Sequence, residues 1–398
     1  MLNEKGQREL CYVVKVDKIE PIEGRDRVEC ARVGGWTCMV PKGAFQPGSL
    51  GVYFEIDSKV DTNKPEFAFL EKRHGKIKTQ KFKAGDGQFW SQGLLMSFSD
   101  FGWEENKYAE GDFLTAELGV TYADADDNKR KAKSADKYKL MAQRRPDLFK
   151  KKWAQWMMRR NWGKKVMFFF FGKKKDKRGG WPSWVVKTDE ERVQNISWIL
   201  EDKSEWFATE KVDGTSTTFT MKGYGRKRQF LVCSRNVVFD KPDKQCFYET
   251  NVYTEMAEKY DMEHTLECLM EFFNNVFDIK VDFVTVQGET YGAGIQKRDY
   301  GMTDHKLAVF NVIYGIDGKT ERLNPRRMTE LLAKFDIPCV PIVDEHFILP
   351  DTVEELLNIA TGESAIDGGM REGLVFRSED GTKSFKAVSN EFLMKFHS

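Results

Sequence analysis

One stretch of this 398-residue chain cannot be the interior of a domain: residues 129–178 hold 20 Lys and Arg against 3 Asp and Glu. Burying so many like charges would cost far more than apolar contact returns, so the stretch must be a solvated face or face an anionic partner. It splits the chain into two parts, one before and one after, each long enough to build a core of its own. The remaining 348 residues carry 43 basic and 59 acidic side chains, so the formal net charge of +1 sums a segment at +17 and a remainder at −16. With 40% hydrophobic and 31% charged residues, those two parts have the composition of globular domains.

Several classes are excluded by simple counts. The apolar run at 166–171 is six residues, against roughly 20 needed to span a bilayer. The opening Met1-Leu2-Asn3-Glu4-Lys5-Gly6 lacks the charged-then-apolar layout of a signal peptide. Seven cysteines (11, 30, 38, 233, 246, 268, 339) are an odd number without a C-x-x-C pair, which predicts reduced thiols in a cytoplasmic compartment rather than a disulfide framework or a zinc site. The five histidines never fall at ligand spacing, and no repeat of 20–50 residues is visible.

Residues 8–119 alternate apolar and polar side chains over 12–19, 28–33 and 50–56, with further candidate strands at 76–82 and 89–96. Gly34-Gly35, Pro47-Gly48 and Gly85-Asp86-Gly87 supply the turns between them. Five or six short strands in so little chain predict a small barrel, of which the OB type is the commonest that binds nucleic acid; a purely structural barrel is the plainer alternative. Residues 120–186 form a basic, aromatic-rich insert, predicted helical over 132–160 and ended by Gly179-Gly180-Trp181-Pro182. Thr188 with Glu191 three positions later reads as a capping box that opens a helix at Asp189. From Phe207 onward, strands rich in Val, Phe and Thr alternate with helices predicted at 253–273 and 325–335. The fold class is therefore α+β, a barrel at 1–119 and a larger domain at 187–398.

Glu210-Lys211-Val212-Asp213-Gly214 is the sharpest local signal, although Lys-x-Asp-Gly alone also fits a surface lysine before a turn. An ordered set lies downstream of it: Cys233-Ser234-Arg235-Asn236, Gln287-Gly288-Glu289-Thr290, the apolar Lys306–Val312 stretch containing Phe310, Glu372-Gly373-Leu374-Val375-Phe376-Arg377, and Ser384-Phe385-Lys386-Ala387. The steps are 78 residues from Lys211 to Glu289, 83 to Glu372 and 14 to Lys386.

This series resembles the covalent nucleotidyltransferase superfamily of polynucleotide ligases and mRNA capping enzymes. More narrowly it is similar to the ATP-dependent RNA ligases of the Naegleria/Deinococcus type, through 187–195, the Ser-Arg-Asn, the Ser91-Gln92-Gly93-Leu94-Leu95 segment and 384–390. Typical DNA ligases and capping enzymes carry an OB domain after the last motif; here 12 residues follow Lys386, and the barrel lies in front. The resemblance implies an OB-like barrel followed by an ATP-grasp-like adenylation domain of antiparallel sheets with flanking helices. It implies a lysine–AMP intermediate, formed from ATP with Mg²⁺ or Mn²⁺, that seals 3′-OH and 5′-phosphate RNA ends, expected at nicks in duplexes and by a monomer.

By the same resemblance Lys211 is the nucleophile, and Asp213, Glu289 and Glu372 hold the metal, mostly through its waters. Lys386 neutralises the α-phosphate and Phe310 stacks on adenine. Glu210, Arg235 and Asn236 belong to nucleotide or RNA contacts, and Arg192, expected on the exposed side of its helix, to the β/γ-phosphates. Related RNA ligases often show Lys-x-Lys in the last motif; here position 388 is Val, with Lys383 or Lys395 as possible substitutes. In the insert, Lys151, Lys152, Arg159 and Arg160, interleaved with tryptophans, are candidates for RNA contact, against the alternative of a solvated helix. A DNA ligase, a GTP-using capping enzyme and a non-catalytic RNA-binding protein remain the competing functions.

Overall fold

In the computed structural model, which describes residues 1–3, 8–104, 107–123, 148, 151–171, 181–239 and 251–397, the alternating N-terminal segments become short antiparallel strands. Cys11–Lys15, Leu50–Phe54 and Leu94–Met96 form one three-stranded sheet, with Tyr12 opposite Tyr53 and Val13 opposite Val52. Lys18–Ile22, Arg25–Val33 and Trp36–Pro41 form a second, and Gln80–Ala84 pairs with Gly87–Ser91 as a hairpin. The strand predicted at 12–19 is thus two strands, the one predicted at 76–82 starts at Gln80, and Trp36–Pro41 was not marked by alternation.

Period-two alternation gives this barrel two apolar faces. Val13, Val52, Phe54 and Met96 pack with Phe67 and Leu70 on one side. Tyr12, Val33, Trp36 and Tyr53 pack on the other, where Val388 and Leu393 from the far end of the chain join them. The barrel is therefore docked on the C-terminal domain. Gly35 shows how closely: its N–H donates to the Gln194 carbonyl at 2.8 Å, and a Cβ there would stand 2.6 Å from the Gln194 Cα.

Beyond residue 204 all strands pair antiparallel in two sheets. One runs Ile342–Ile348, Glu205–Lys211, Gly373–Ser378, Ser384–Val388; the other runs Val238–Phe239, Gln229–Ser234, Thr215–Lys222, Phe283–Gly292, His305–Ile316, Lys319–Arg322. Helix Met262–Phe277 covers the larger sheet with Met262, Leu266, Leu269, Met270 and Phe273, spaced three and four apart so that they share one buried stripe. Helix Val353–Ala360 does the same for the smaller sheet with Leu356, Leu357 and Ala360 against Trp206 and Phe385.

Three expectations about helices change. The 253–273 helix is two, Val252–Lys259 and Met262–Phe277, because Asp261 takes a left-handed conformation (φ 41°) that no α-helix continues through. Pro325–Leu332 is helical, with the Asn324 side chain accepting the Arg327 N–H at 2.9 Å, but Ala333–Phe335 tightens into a 3-10 turn. No helix opens at Asp189. The chain there runs extended beside the last strand, the Lys386 N–H donating to the Glu191 carbonyl at 2.8 Å and Arg192 bridging Lys386. The Thr188 hydroxyl meets Ser216 at 2.8 Å instead of capping a turn, so tertiary pairing overrode a local signal.

Of the helix predicted at 132–160, residues 132–147 lie outside the described residues. The later part of the insert forms a pair of short helices, Lys152–Met158 and Asn161–Phe171, closed over Ala154 and Met167. Among the described residues no helix is long and apolar enough to cross a membrane.

Candidate active site

The seam between the two C-terminal sheets assembles the sequence motifs. Lys211 is the last residue of Glu205–Lys211 and sits opposite Gly373, which brings Glu372 beside it. Its Nζ is 2.7 Å from the Glu372 carboxylate. Val212-Asp213-Gly214 then carries the chain into the larger sheet, where Ser216 lies opposite Glu289. Only glycine fits at 214, since a Cβ would stand 2.3 Å from the Thr290 carbonyl oxygen and 3.0 Å from the Glu289 side chain. The Asp213 N–H donates to the buried Tyr300 hydroxyl at 2.7 Å, which fixes the turn.

Three carboxylates thus surround one ammonium. Burial pushes Glu289 up to about 8 against the pull of Lys211, with Glu372 and Asp213 adding to the rise. Burial likewise raises Glu372 above the ordinary carboxylate range despite Lys211. Burial alone would lower the Lys211 ammonium, but Glu372 and Glu289 outweigh it and hold the lysine above its ordinary value. The lysine here is a charged, ion-paired side chain with a quarter of its surface open to the cavity. One oxygen of Asp213, Oδ2, is buried without a hydrogen-bond partner among the described residues; the other is 3.6 Å from Nε2 of His397.

A cavity of about 330 Å³ opens over this cluster. Another part of its lining, beginning two strands from Lys211 on the same sheet, is cationic. Lys386 is buried, and burial together with Arg8, Arg192 and Lys211 pushes its ammonium down to about 7. Arg192, expected on an exposed helix face, is instead 5% exposed and holds Asp57 at 3.2 Å through Nη2, with Nε and Nη1 unpartnered among the described residues. Arg8 reaches the same cavity from the barrel, its Nε 2.7 Å from the fully buried Glu55. An apolar end is formed by Val212, Phe310 and Val340, with Phe310 half-buried and the Arg377 guanidinium 6.0 Å from its ring centre. The arrangement suits a ligand with a flat apolar group at one end and several phosphates at the other.

The other candidates sort clearly. Arg235 lines the cavity, clamped on Asp189 at 2.6 and 3.1 Å. Asn236 is exposed in the turn beyond, accepting from Lys187 at 3.3 Å. Both Glu210 oxygens are occupied by the 364–365 loop, one by the Ser364 hydroxyl and one by the Ala365 N–H at 2.8 Å, so Glu210 braces the wall it belongs to. Lys383 is exposed and paired with Asp202 at 2.8 Å, outside the cavity, so it does not replace the lysine absent at 388. Lys151, Lys152, Arg159 and Arg160 are exposed on the helix pair of the insert. Sequence reasoning missed Arg8, Asp57, Tyr300, Arg377 and His397. Of these, only Arg377 lay inside a motif already singled out.

Among known proteins, residues 204–396 match the RNA ligase family, and residues 10–96 match an OB-fold domain. The chain is similar to Naegleria gruberi RNA ligase with PPi, at 27% identity over 98% of this chain and 99% of that one, with a TM-score of 0.70. It is also similar to a lysine variant of that ligase with ATP and Mn (27%, 98% of each chain, TM-score 0.68) and to another with AMP and Mn (27%, 98% and 99%, TM-score 0.69). No curated protein matches it by sequence. With a domain around Lys211 that matches the RNA ligase family and an OB fold ahead of it, the chain is similar to Naegleria gruberi RNA ligase over nearly its whole length.

Proposed function

We propose that the protein is an ATP-dependent RNA ligase that joins 3′-OH to 5′-phosphate ends through lysine–AMP. The observation that carries this reading is the single ammonium of Lys211 held 2.7 Å from Glu372 in an acidic cluster, in the same cavity as the cationic Arg8, Arg192 and Lys386. In the first step the Lys211 amine, freed of its proton, attacks the α-phosphorus of ATP, and the bond to pyrophosphate breaks. AMP then passes to the oxygen of a 5′-phosphate, releasing the lysine. A 3′-OH finally attacks the phosphorus of that 5′-phosphate, the bond to AMP breaks and AMP leaves. Each step is phosphoryl transfer, for which positioning and charge stabilisation supply most of the rate.

The chain's own residues divide this work. Phe310 and Val212 receive the adenine, Lys386 the α-phosphate, and Arg192 with Arg8 the outer phosphates. Asp213, Glu289 and Glu372 fit a divalent ion: they are hard oxygen donors, and among the described residues Asp213 Oδ2 lacks a partner. Among the described residues no three such groups converge closely enough to bind an ion directly. Mg²⁺ or Mn²⁺ there supplies positive charge that favours the free amine and offsets charge on the transferred phosphoryl. The Naegleria relatives hold ATP, AMP and Mn, which supports this reading. It makes 1–119 the barrel, 120–186 an insert and 187–398 the adenylating domain of a cytoplasmic monomer acting on nicked duplex RNA.

Incubation with α-labelled ATP and Mg²⁺ or Mn²⁺ tests it: label should survive denaturation of the protein and be released by pyrophosphate. Labelling from GTP instead would indicate capping chemistry, and no labelling would indicate a binding protein. A nicked duplex with a ribose at the 3′-OH end should be sealed faster than one with deoxyribose.

Lys386 gives a second readout. A lysine held near 7 is mostly neutral at pH 8, and a phosphate beside it favours the charged form, so ATP binding should take up protons. Titration calorimetry at pH 8 in buffers of different ionisation enthalpy should show uptake approaching one proton, shrinking toward pH 6 and absent in Lys386→Met. Equal heats in all buffers would contradict the assignment.

A further inference from the structure

The helix pair of the insert has apolar residues on both sides. Inward, Ala154 and Met167 are buried against each other. Outward, Trp153, Trp156 and Trp162 are about half exposed, at 49%, 51% and 54%, and Phe169 reaches 72%. These are not stray surface residues. Trp153 and Trp156 fall three apart on one helix with Arg160 just beyond its end, and Trp162, Lys165, Val166 and Phe169 fall three and four apart on the next. Trp156 meets Trp162 edge to face at 6.1 Å, and the Arg160 guanidinium lies 3.8 Å over the Trp156 ring. No acidic residue occurs from 148 to 175, whereas Lys151, Lys152, Arg159, Arg160, Lys164 and Lys165 are all cationic.

Flat rings left open to solvent beside cations offer two things to one ligand: stacking surface for planar groups and charge for phosphates. Inside a duplex the bases are already stacked on one another and offer no free face, whereas an unpaired strand presents both bases and backbone. A membrane-surface helix would segregate its rings from its cations; here Lys165 stands between Trp162 and Phe169, and Arg160 lies on Trp156 itself. We propose that this helix pair is a docking face for unpaired RNA next to the break, with Trp153, Trp156, Trp162 and Phe169 stacking on bases and Lys151, Lys152, Arg159 and Arg160 holding phosphates. The proposal rests on the reading of the protein as an RNA-joining enzyme and adds to its substrate: a nicked duplex from which a single-stranded stretch of RNA runs on beyond the paired ends.

The test uses the full chain and a dye-labelled oligouridine, followed by fluorescence anisotropy, with a fully paired RNA and phosphatidylserine vesicles as the other probes. W156A/W162A should weaken oligouridine binding about tenfold or more, in line with the loss of base-stacking contacts. It should leave paired RNA and ATP self-labelling of Lys211 unchanged, and W156F/W162F should restore most of the loss. K151Q/K152Q/R159Q/R160Q should flatten the salt dependence, by about 0.7 in log–log slope for each phosphate contact removed. Unchanged oligouridine affinity in a W156A/W162A protein that still self-labels would overturn the proposal. So would tryptophan-dependent vesicle binding with no tryptophan-dependent RNA binding. Self-labelling is scored separately, so its absence in the wild type counts against the ligase reading and not against this surface.

Discussion

Lys211→Ala should retain no AMP after incubation with α-labelled ATP, under conditions where the wild type labels to a large fraction of one per chain. The loss is complete rather than partial because the covalent bond is made by that amine, and no other lysine is placed beside the acidic cluster among the described residues lining the cavity; Lys386 lies two strands away across the same sheet, beside Arg8 and Arg192. Alanine alone would leave the result open to a structural reading. It strips the Lys211 ammonium from Glu372 and leaves a buried carboxylate without that partner, a change that costs about 3–5 kcal/mol in typical cases. Lys211→Arg separates the two effects. A guanidinium keeps the charge and can still pair with Glu372, so the fold should melt within a few degrees of wild type. It stays protonated at any working pH and cannot act as the nucleophile. A folded, ion-paired and unlabelled Lys211→Arg is the expected result; label on it would mean that another residue carries the AMP.

Much of this site was legible before any coordinates because its chemistry demands fixed residue types at positions that strands bring together. Lys211 and Glu372 are 161 residues apart yet touch, and both stood out because a lysine before Asp-Gly and a glutamate before an apolar strand recur in one order with Glu289 and Lys386. The barrel was legible through period-two alternation, which results directly from having one face buried. Arg8 and Asp57 were not legible, because their importance comes from how the barrel docks: Asp57 meets Arg192 across 135 residues, and nothing local to either marks that contact. The misread helix at Asp189 has a related cause. Thr188 and Glu191 are a valid local capping signal, but the edge of Ser384–Val388 offered the same backbone a strand partner, and that pairing placed Arg192 in the cavity wall instead of on a solvated face.

That docking hangs on Glu55, and removing its charge should have the largest effect on stability of any change outside the cavity. Glu55 is fully buried in the barrel and accepts from Arg8 Nε at 2.7 Å and from Asn195 Nδ2 at 3.0 Å, with the Tyr12 hydroxyl also 3.0 Å away. Asn195 belongs to the other domain and accepts from Trp36 Nε1 at 2.7 Å, so one carboxylate ties both sides of the interface together. Burial would raise this carboxyl, but Arg8 and its other cationic neighbours outweigh burial and hold it well below the ordinary range. Glu55→Gln keeps the shape and strands the Arg8 charge, which should cost about 3–5 kcal/mol. The sign of the pH dependence comes from the depressed value. The contribution is fully present above about pH 4.5, the unfolded carboxyl's range, and is lost as pH falls toward the folded value. The gap in stability between wild type and Glu55→Gln should therefore narrow as pH falls below about 5. Denaturation followed by tryptophan fluorescence, with Trp36 reporting from the interface, measures that gap; a difference that grew toward low pH would show that Glu55 does not carry the charge assigned to it.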